Sequence, residues 1–224
     1  MRLNLGCGGK ITPGWLNVDK FPTCNPDQVV DLERFPWPWP DDSVDEVRMH
    51  HVLEHLGAQT EIYLGIIKEL YRVCRDNAAI HIIVPHPRHD DFLNDPSHVR
   101  PVTPASFVLF SQAKNRDWLA KGVSNSPLGL YLDVDFVVDT ESYLLEEPWG
   151  HLYEQKKLPF ADLQHAIRLY GNVIKQFEFV VRPIKPAGSR VAAPPASVQA
   201  ADAPLVPGEA PVNMVPSALR SEDA

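Results

Sequence analysis

The chain has 224 residues, 44% hydrophobic and 22% charged, enough to bury one ordinary globular core. Its formal charge of −8, without any run of lysine or arginine, argues against a nucleic-acid partner gripped through phosphates. No stretch approaches the ~20 consecutive apolar residues that span a bilayer, and the N-terminus lacks the layout of a secretory signal, so the expectation is a cytoplasmic protein with no membrane partner.

Strands and helices alternate from Met1 to Lys185. "RLNL" predicts a short strand entering a glycine turn, "WLNVD" a second strand and "QVVDL" a third. "SVDEVRMH" predicts the fourth, and the apolar run "AAIHIIVP" predicts a fifth, buried on both faces. Between these two, "QTEIYLGIIKELYRVCRDN" sets Tyr63, Ile66, Ile67, Leu70, Val73 and Cys74 at three- and four-residue spacing, the stripe of one core-facing helix. Thr103 is placed to cap a helix whose first position is Pro104, in "TPASFVLFSQA". "LYLDVDFVV" then predicts a strand, "ADLQHAIRLYGN" a helix and "VIKQFEFVVRPI" a closing strand. This alternation implies a mostly parallel α/β sheet, with ligands outside the carboxyl ends of its strands.

Two domains of unequal kind follow: a folded unit over residues 1–185 and a tail over 186–224. The tail holds seven prolines, ten alanines and no aromatic residue, too little apolar surface to offset the entropy of ordering it. It reads as disordered, with docking of a partner through "APLVPGEAPVNMVP" as its alternative use. The three cysteines, Cys7, Cys24 and Cys74, are widely spaced and fit neither a disulfide framework nor a thiolate zinc site.

The opening "LNLGCGGKITPGWLNVD" decides between cofactors. A phosphate loop needs Gly-Lys-Ser/Thr, but Gly9 and Lys10 are followed by Ile11. A dinucleotide fingerprint needs a third glycine where Ile11 stands. What remains is Gly-x-Gly after a strand, with Asp19 ending the next strand and able to accept from both hydroxyls of a ribose. That suits an adenosine cofactor without a pyrophosphate, beside the plain alternative of a glycine turn and a surface aspartate.

Together with "VVDLERFPWPWPDDSVDEVRMHHVLEHL", this opening resembles the class I S-adenosylmethionine-dependent methyltransferases, closest to the compact bacterial type 11-like group, over about Arg2 to Pro85. The resemblance implies a Rossmann-like, doubly wound, mostly parallel sheet with an antiparallel last strand, and S-adenosylmethionine as cofactor. By position, Gly6, Cys7 and Gly8 become the turn under the methionine part, Asp19 the ribose ligand, and Asp31 and Leu32 the adenine contacts. His50 falls at the methionine end, and Asn4 stands where the family often has an acid. The link from Cys7 to Gly14 is shorter than a parallel crossover normally needs, so the first helix is expected to shrink to a turn or loop. In "RDNAA", Asn77 is placed to take the left-handed conformation that the family supplies with glycine.

The segment "PHPRHDDFLNDPSHVRPVTP" follows strand five onto the cofactor edge. There His98 is the candidate general base, Asp91 its orienting partner and Arg100 the group that holds an anionic acceptor. The plain reading is a polar lid loop. A metal reading uses His86, His89, Asp90 or Asp91, and His98. His51 and His55, four apart at a helix start, form a conceivable ligand pair, while Glu54 between them is given a structural role near the helix N-terminus. The "PWPWP" run reads as packing over the adenine side, and Trp149 and Tyr153 as candidates to line an acceptor pocket. The leading reading is a methyltransferase for a small-molecule or saccharide-like acceptor. Its alternatives are a non-catalytic assembly module of the same fold and a metal-dependent enzyme built on the His86–His98 loop.

Overall fold

In the computed structural model, residues 1–186 and 213–216 are described. Eight strands form one sheet in the order β3-β2-β1-β4-β5-β7-β6-β8. The first five are β1 (Arg2–Leu5), β2 (Leu16–Asp19), β3 (Gln28–Val29), β4 (Val44–His50) and β5 (Cys74–Pro85), all parallel to one another. β7 (Ile174–Pro183) runs antiparallel between β5 and β6 (Phe136–Leu145). The expected doubly wound sheet with an antiparallel last strand is therefore present.

The apolar runs behave as the alternation of strand side chains requires. Leu3, Leu5, Val18, Val47, Met49, Ile80, Ile82 and Val181 are fully buried in the middle of the sheet. Helix α1 (Thr60–Val73) returns the chain from β4 to β5 and buries the predicted stripe of Tyr63, Ile66, Ile67, Leu70 and Val73. Asn77 takes a φ of +62° where the β4–β5 register shifts between Val44 and Glu46, so it supplies the left-handed residue without glycine. Between β1 and β2 there is no helix at all. Turns from Gly6 to Trp15 make the whole crossover, as its length requires.

The "PWPWP" loop is packing. Trp37 and Trp39 are buried and meet edge to face with centroids 5.7 Å apart. The indole of Trp37 donates to the Leu32 carbonyl at 3.0 Å, and its backbone N–H donates to Glu69 at 2.6 Å. Arg72 closes this arrangement by donating to Glu69, Asp41 and the carbonyls of Trp37 and Trp39.

After β5 come the single turns α2 (Asp90–Leu93) and α3 (Pro104–Phe107), then α4 (Gln112–Ala120) and α5 (Leu128–Leu132). Thr103 caps α3 as expected, in a reciprocal box with Ser106. The predicted strand "LYLDVDFVV" is corrected: its first half belongs to α5, and β6 starts only at Phe136. The fully buried Asn115 draws the Leu130 N–H to its side-chain oxygen, and Asp133 at φ +54° ends the turn. β6 owes its strand form to pairing with β7 along its length, which overrides the weak local pattern of "DTES".

α6 (Trp149–Glu154) and α7 (Phe160–Leu169) complete the domain. Lys185 anchors its end, donating its N–H to Asp76 at 2.8 Å and pairing its ammonium with Asp42. The expectation of a wholly disordered tail needs one correction. Asn213–Pro216 form β8, parallel to the end of β6, with Met214 packed against the core. The remainder of that segment, 187–212 and 217–224, lies outside the described residues. Among the described residues no helix is long and apolar enough to cross a membrane.

Candidate functional site

The carboxyl ends of β1, β2 and β4 meet at the glycine turn. Gly6 has φ +65°, and a Cβ there would lie 2.5 and 2.7 Å from the two methyl carbons of Val52. Only glycine lets the chain pass Val52 in this conformation. Gly8 also has positive φ, +51°, yet a Cβ there would meet open space. The backbone at Gly8 thus faces room for a ligand.

Asp19, at the end of β2, closes the turn. One carboxylate oxygen accepts the Gly8 N–H and the other the Phe21 N–H, both at 2.9 Å. Asp19 is 8% exposed, and each oxygen retains a further acceptor site. Cys7 donates its N–H to the Val18 carbonyl at 3.0 Å, which carries the β1–β2 ladder into the turn. Burial raises the Cys7 thiol pKa, helped by the nearby Asp19 and Cys24, so this cysteine stays a neutral thiol.

Asn4 has a structural duty that the sequence reading missed. Its amide donates to the Lys10 carbonyl at 3.0 Å, to Thr12 at 3.4 Å and to the side-chain oxygen of Asn17 at 2.9 Å. Asn17 in turn donates to Asp27 at 2.8 Å and accepts the Thr12 N–H at 2.8 Å. This buried lattice holds the long turn in the shape that a crossover helix would otherwise impose. The unusually short link and the unusual Asn4 are one feature.

Asp31 and Leu32 follow β3. Asp31 accepts from the Glu33 N–H and pairs with Arg34 at 3.1 Å, while Leu32 is buried against the Trp37 indole. His50 ends β4, and burial lowers its pKa to about 4, with Arg48 adding to the effect. His86, just past β5, is lowered to about 4 by burial and then by Arg88. Both imidazoles are neutral at physiological pH.

The three candidate catalytic residues are not brought together. Asp91 lies 3.4 Å from His89 and 3.9 Å from Lys175, and makes no ion pair with His98. Arg100 stacks over Tyr63, 4.4 Å from the ring centroid, and donates to the Gly57 carbonyl at 2.9 Å, which braces α1, while its buried Nε has no hydrogen-bond partner. His98 donates from Nδ1 to the Phe92 carbonyl at 2.9 Å and stacks on the Phe92 ring. The expected metal set on this loop does not assemble either. His89 is occupied by Glu146 at 3.1 Å and by the Asp91 N–H, which it accepts as the cap of α2.

The "HHVLEHL" segment also differs from expectation. Instead of opening a helix, it forms one 3-10 turn over Leu53–His55, while His51 sits at φ +54°. His51 and His55 therefore do not share a helix face. Glu54 is fully buried with neither carboxylate oxygen hydrogen-bonded, and His51 lies 3.5 Å from one of them. An acid flanked by Val52, Leu53 and Leu56 was the sequence signal for this burial.

Trp149 stacks on Tyr170 and, with Tyr153, packs partly buried against the core beside Met214. A groove lined by Lys68, Tyr71, Leu132 and Asp133 lies by the amino end of β4, away from the turn. Within it Lys185 pairs with Asp42, and Arg72 with Glu69 and Asp41.

No family model and no curated protein sequence matches the chain. Among solved structures, an S-adenosylmethionine-dependent methyltransferase from Archaeoglobus fulgidus is similar at TM-score 0.54 and 16% identity, over 81% of this chain and 85% of that one. The YcgJ protein from Bacillus subtilis gives 0.47 and 15%, over 84% and 92%. A methyltransferase from Mesorhizobium loti gives 0.45 and 14%, over 81% and 89%. The first of these, with the strand order above, gives the chain the class I methyltransferase fold.

Proposed function

We propose that the chain is an S-adenosylmethionine-dependent methyltransferase acting on a small-molecule or saccharide-like acceptor. The observation that carries this reading is the Gly6–Gly8 turn: a backbone that tolerates no Cβ at Gly6, open space at Gly8, and the Asp19 carboxylate bonded beneath it. S-adenosylmethionine supplies a methyl group already activated by its positive sulfur. The protein's task is then to align the acceptor and exclude water.

Gly6, Cys7 and Gly8 present bare backbone to the methionine part. Asp19 uses its spare acceptor sites for ribose hydroxyls, and its two backbone bonds fix it in place. Asp31 accepts from the adenine amine, and Leu32 packs on the ring. His50 and His86, uncharged on the same edge, add no positive charge against a sulfonium. Asn4 is spent on the turn and takes no part in holding the cofactor's amino group. The net charge of −8 supports an acceptor other than nucleic acid.

The alternative of a non-catalytic assembly module would rest on the unusual Asn4 and on the tail. Asn4 now has a structural reason, and Asn213–Pro216 pair with this chain's own β6. Titration calorimetry with S-adenosylmethionine tests the proposal. One saturable site is expected, weakened at least ~10-fold, or about 1.4 kcal/mol, in Asp19→Ala. Absence of binding, or equal binding by the variant, overturns it.

A further inference from the structure

Glu54, His55 and His98 each offer one ligand atom, and the three atoms lie within 4.8 Å of one another. Two segments distant in sequence make this meeting. The Glu54 carbonyl accepts the N–H groups of Val99 at 2.9 Å and Arg100 at 3.3 Å, which fastens the loop carrying His98 onto the Leu53–His55 turn. The rings of His55 and His98 stand 4.6 Å apart.

Both histidines are held in one tautomer. The Ser97 hydroxyl donates to Asp95 at 2.6 Å, so its oxygen can only accept from His55, at 2.9 Å. That fixes the proton on His55 Nδ1. His98 is fixed the same way, since the Phe92 carbonyl can only accept from its Nδ1. Each imidazole is left with Nε2 as the atom free to ligate, with Nε2 of His98 3.8 Å from an Asp95 oxygen. A partner on the far nitrogen that orients the ring and sets the tautomer is what a metal-ligating histidine requires.

The third donor is anomalous without a cation. The Glu54 side chain is 1% exposed, and neither oxygen has a hydrogen-bond partner. Buried carboxylates are ordinarily paired or bound to a metal. Two basic residues stand in the same two segments. His51 approaches one oxygen at 3.5 Å from an exposed position, and Arg100 turns its guanidinium to Tyr63 and Gly57, with no ion pair to Glu54.

We propose that Glu54, His55 and His98 bind a divalent transition cation, of the zinc, iron(II) or manganese(II) class that takes two imidazoles and one carboxylate. Three protein ligands leave positions open to solvent or to an acceptor oxygen. The site stands on the same strand-end edge as the glycine turn, but its metal binding does not depend on the methyl-donor reading.

Cobalt(II) is the probe, added to chelator-treated, tag-free full-length protein without S-adenosylmethionine. Visible d–d absorption should saturate at one equivalent and be displaced by zinc. Glu54→Gln and His98→Asn should each weaken binding at least 10-fold, while His165→Asn, on the exposed face of α7, leaves it unchanged. Should either ligand variant fail to fold, the wild-type melting temperature decides: it should rise with one equivalent of zinc and fall back with chelator. Absence of a saturable cobalt band, its persistence in both ligand variants, or a wild-type melting temperature indifferent to zinc overturns the proposal.

Discussion

The glycine turn and the Glu54 cluster lie on one edge of one sheet, yet they satisfy their polar groups in opposite ways. At the turn, Asn4, Thr12, Asn17, Asp19 and Asp27 bond to one another or to backbone. At the cluster, a carboxyl group is buried with neither oxygen hydrogen-bonded, 3.5 Å from His51 and beside two imidazoles whose Nδ1 atoms are engaged. The first site is finished by its own chain and waits only for a ligand to fit. The second is incomplete until something positive enters.

Gly6→Val attacks the finished site hardest. A left-handed backbone and overlap with Val52 together should destabilise the protein by about 4 kcal/mol, or on the order of 10 °C. Thermal unfolding measures it, and Val52→Ala in the same chain should restore part of the loss. Asn4→Asp follows in size. It restores the acid common in the resembling family, but sets a carboxylate against acceptors that now receive the Asn4 amide, at a cost of about 2 kcal/mol in urea unfolding. A neutral or stabilising effect would mean that the lattice does not shape the turn.

Glu54→Met probes the other side of the comparison. In chelator-treated protein it should raise stability by about 1 kcal/mol, because an apolar side chain replaces a buried carboxyl group that makes no hydrogen bond. A loss as large as that of Asn4→Asp would show that Glu54 serves the fold.

The smallest effect is a dependence on pH. His50 and His86 have folded pKa values lowered from 6.5 to about 4, so the unfolded chain binds more protons between those values. Their contribution is whole above about pH 6.5 and is lost as pH falls towards 4. Denaturant titrations should show that decline, and His50→Gln with His86→Gln should flatten it.

What the sequence made legible were features set by local chemistry. The α1 stripe, the Thr103 cap, the left-handed Asn77 and the helix-free first crossover each follow from a residue type in its immediate neighbourhood. Features set by distant pairing were not. β6 is a strand because β7 lies beside it, and Asn213–Pro216 join the sheet through β6 despite their proline-rich surroundings. The candidate site divides along the same line. Gly6, Gly8 and Asp19 are joined within one supersecondary unit, whereas the partners of His98 depend on how a loop folds back. Membership of one polar segment assigned it Asp91, but the loop places it by His55 and Glu54.

The central claim, that the glycine turn and Asp19 hold S-adenosylmethionine, is tested most directly by calorimetric titration of the wild-type chain with that compound. The account predicts one saturable site per chain. A flat titration of folded protein would contradict it.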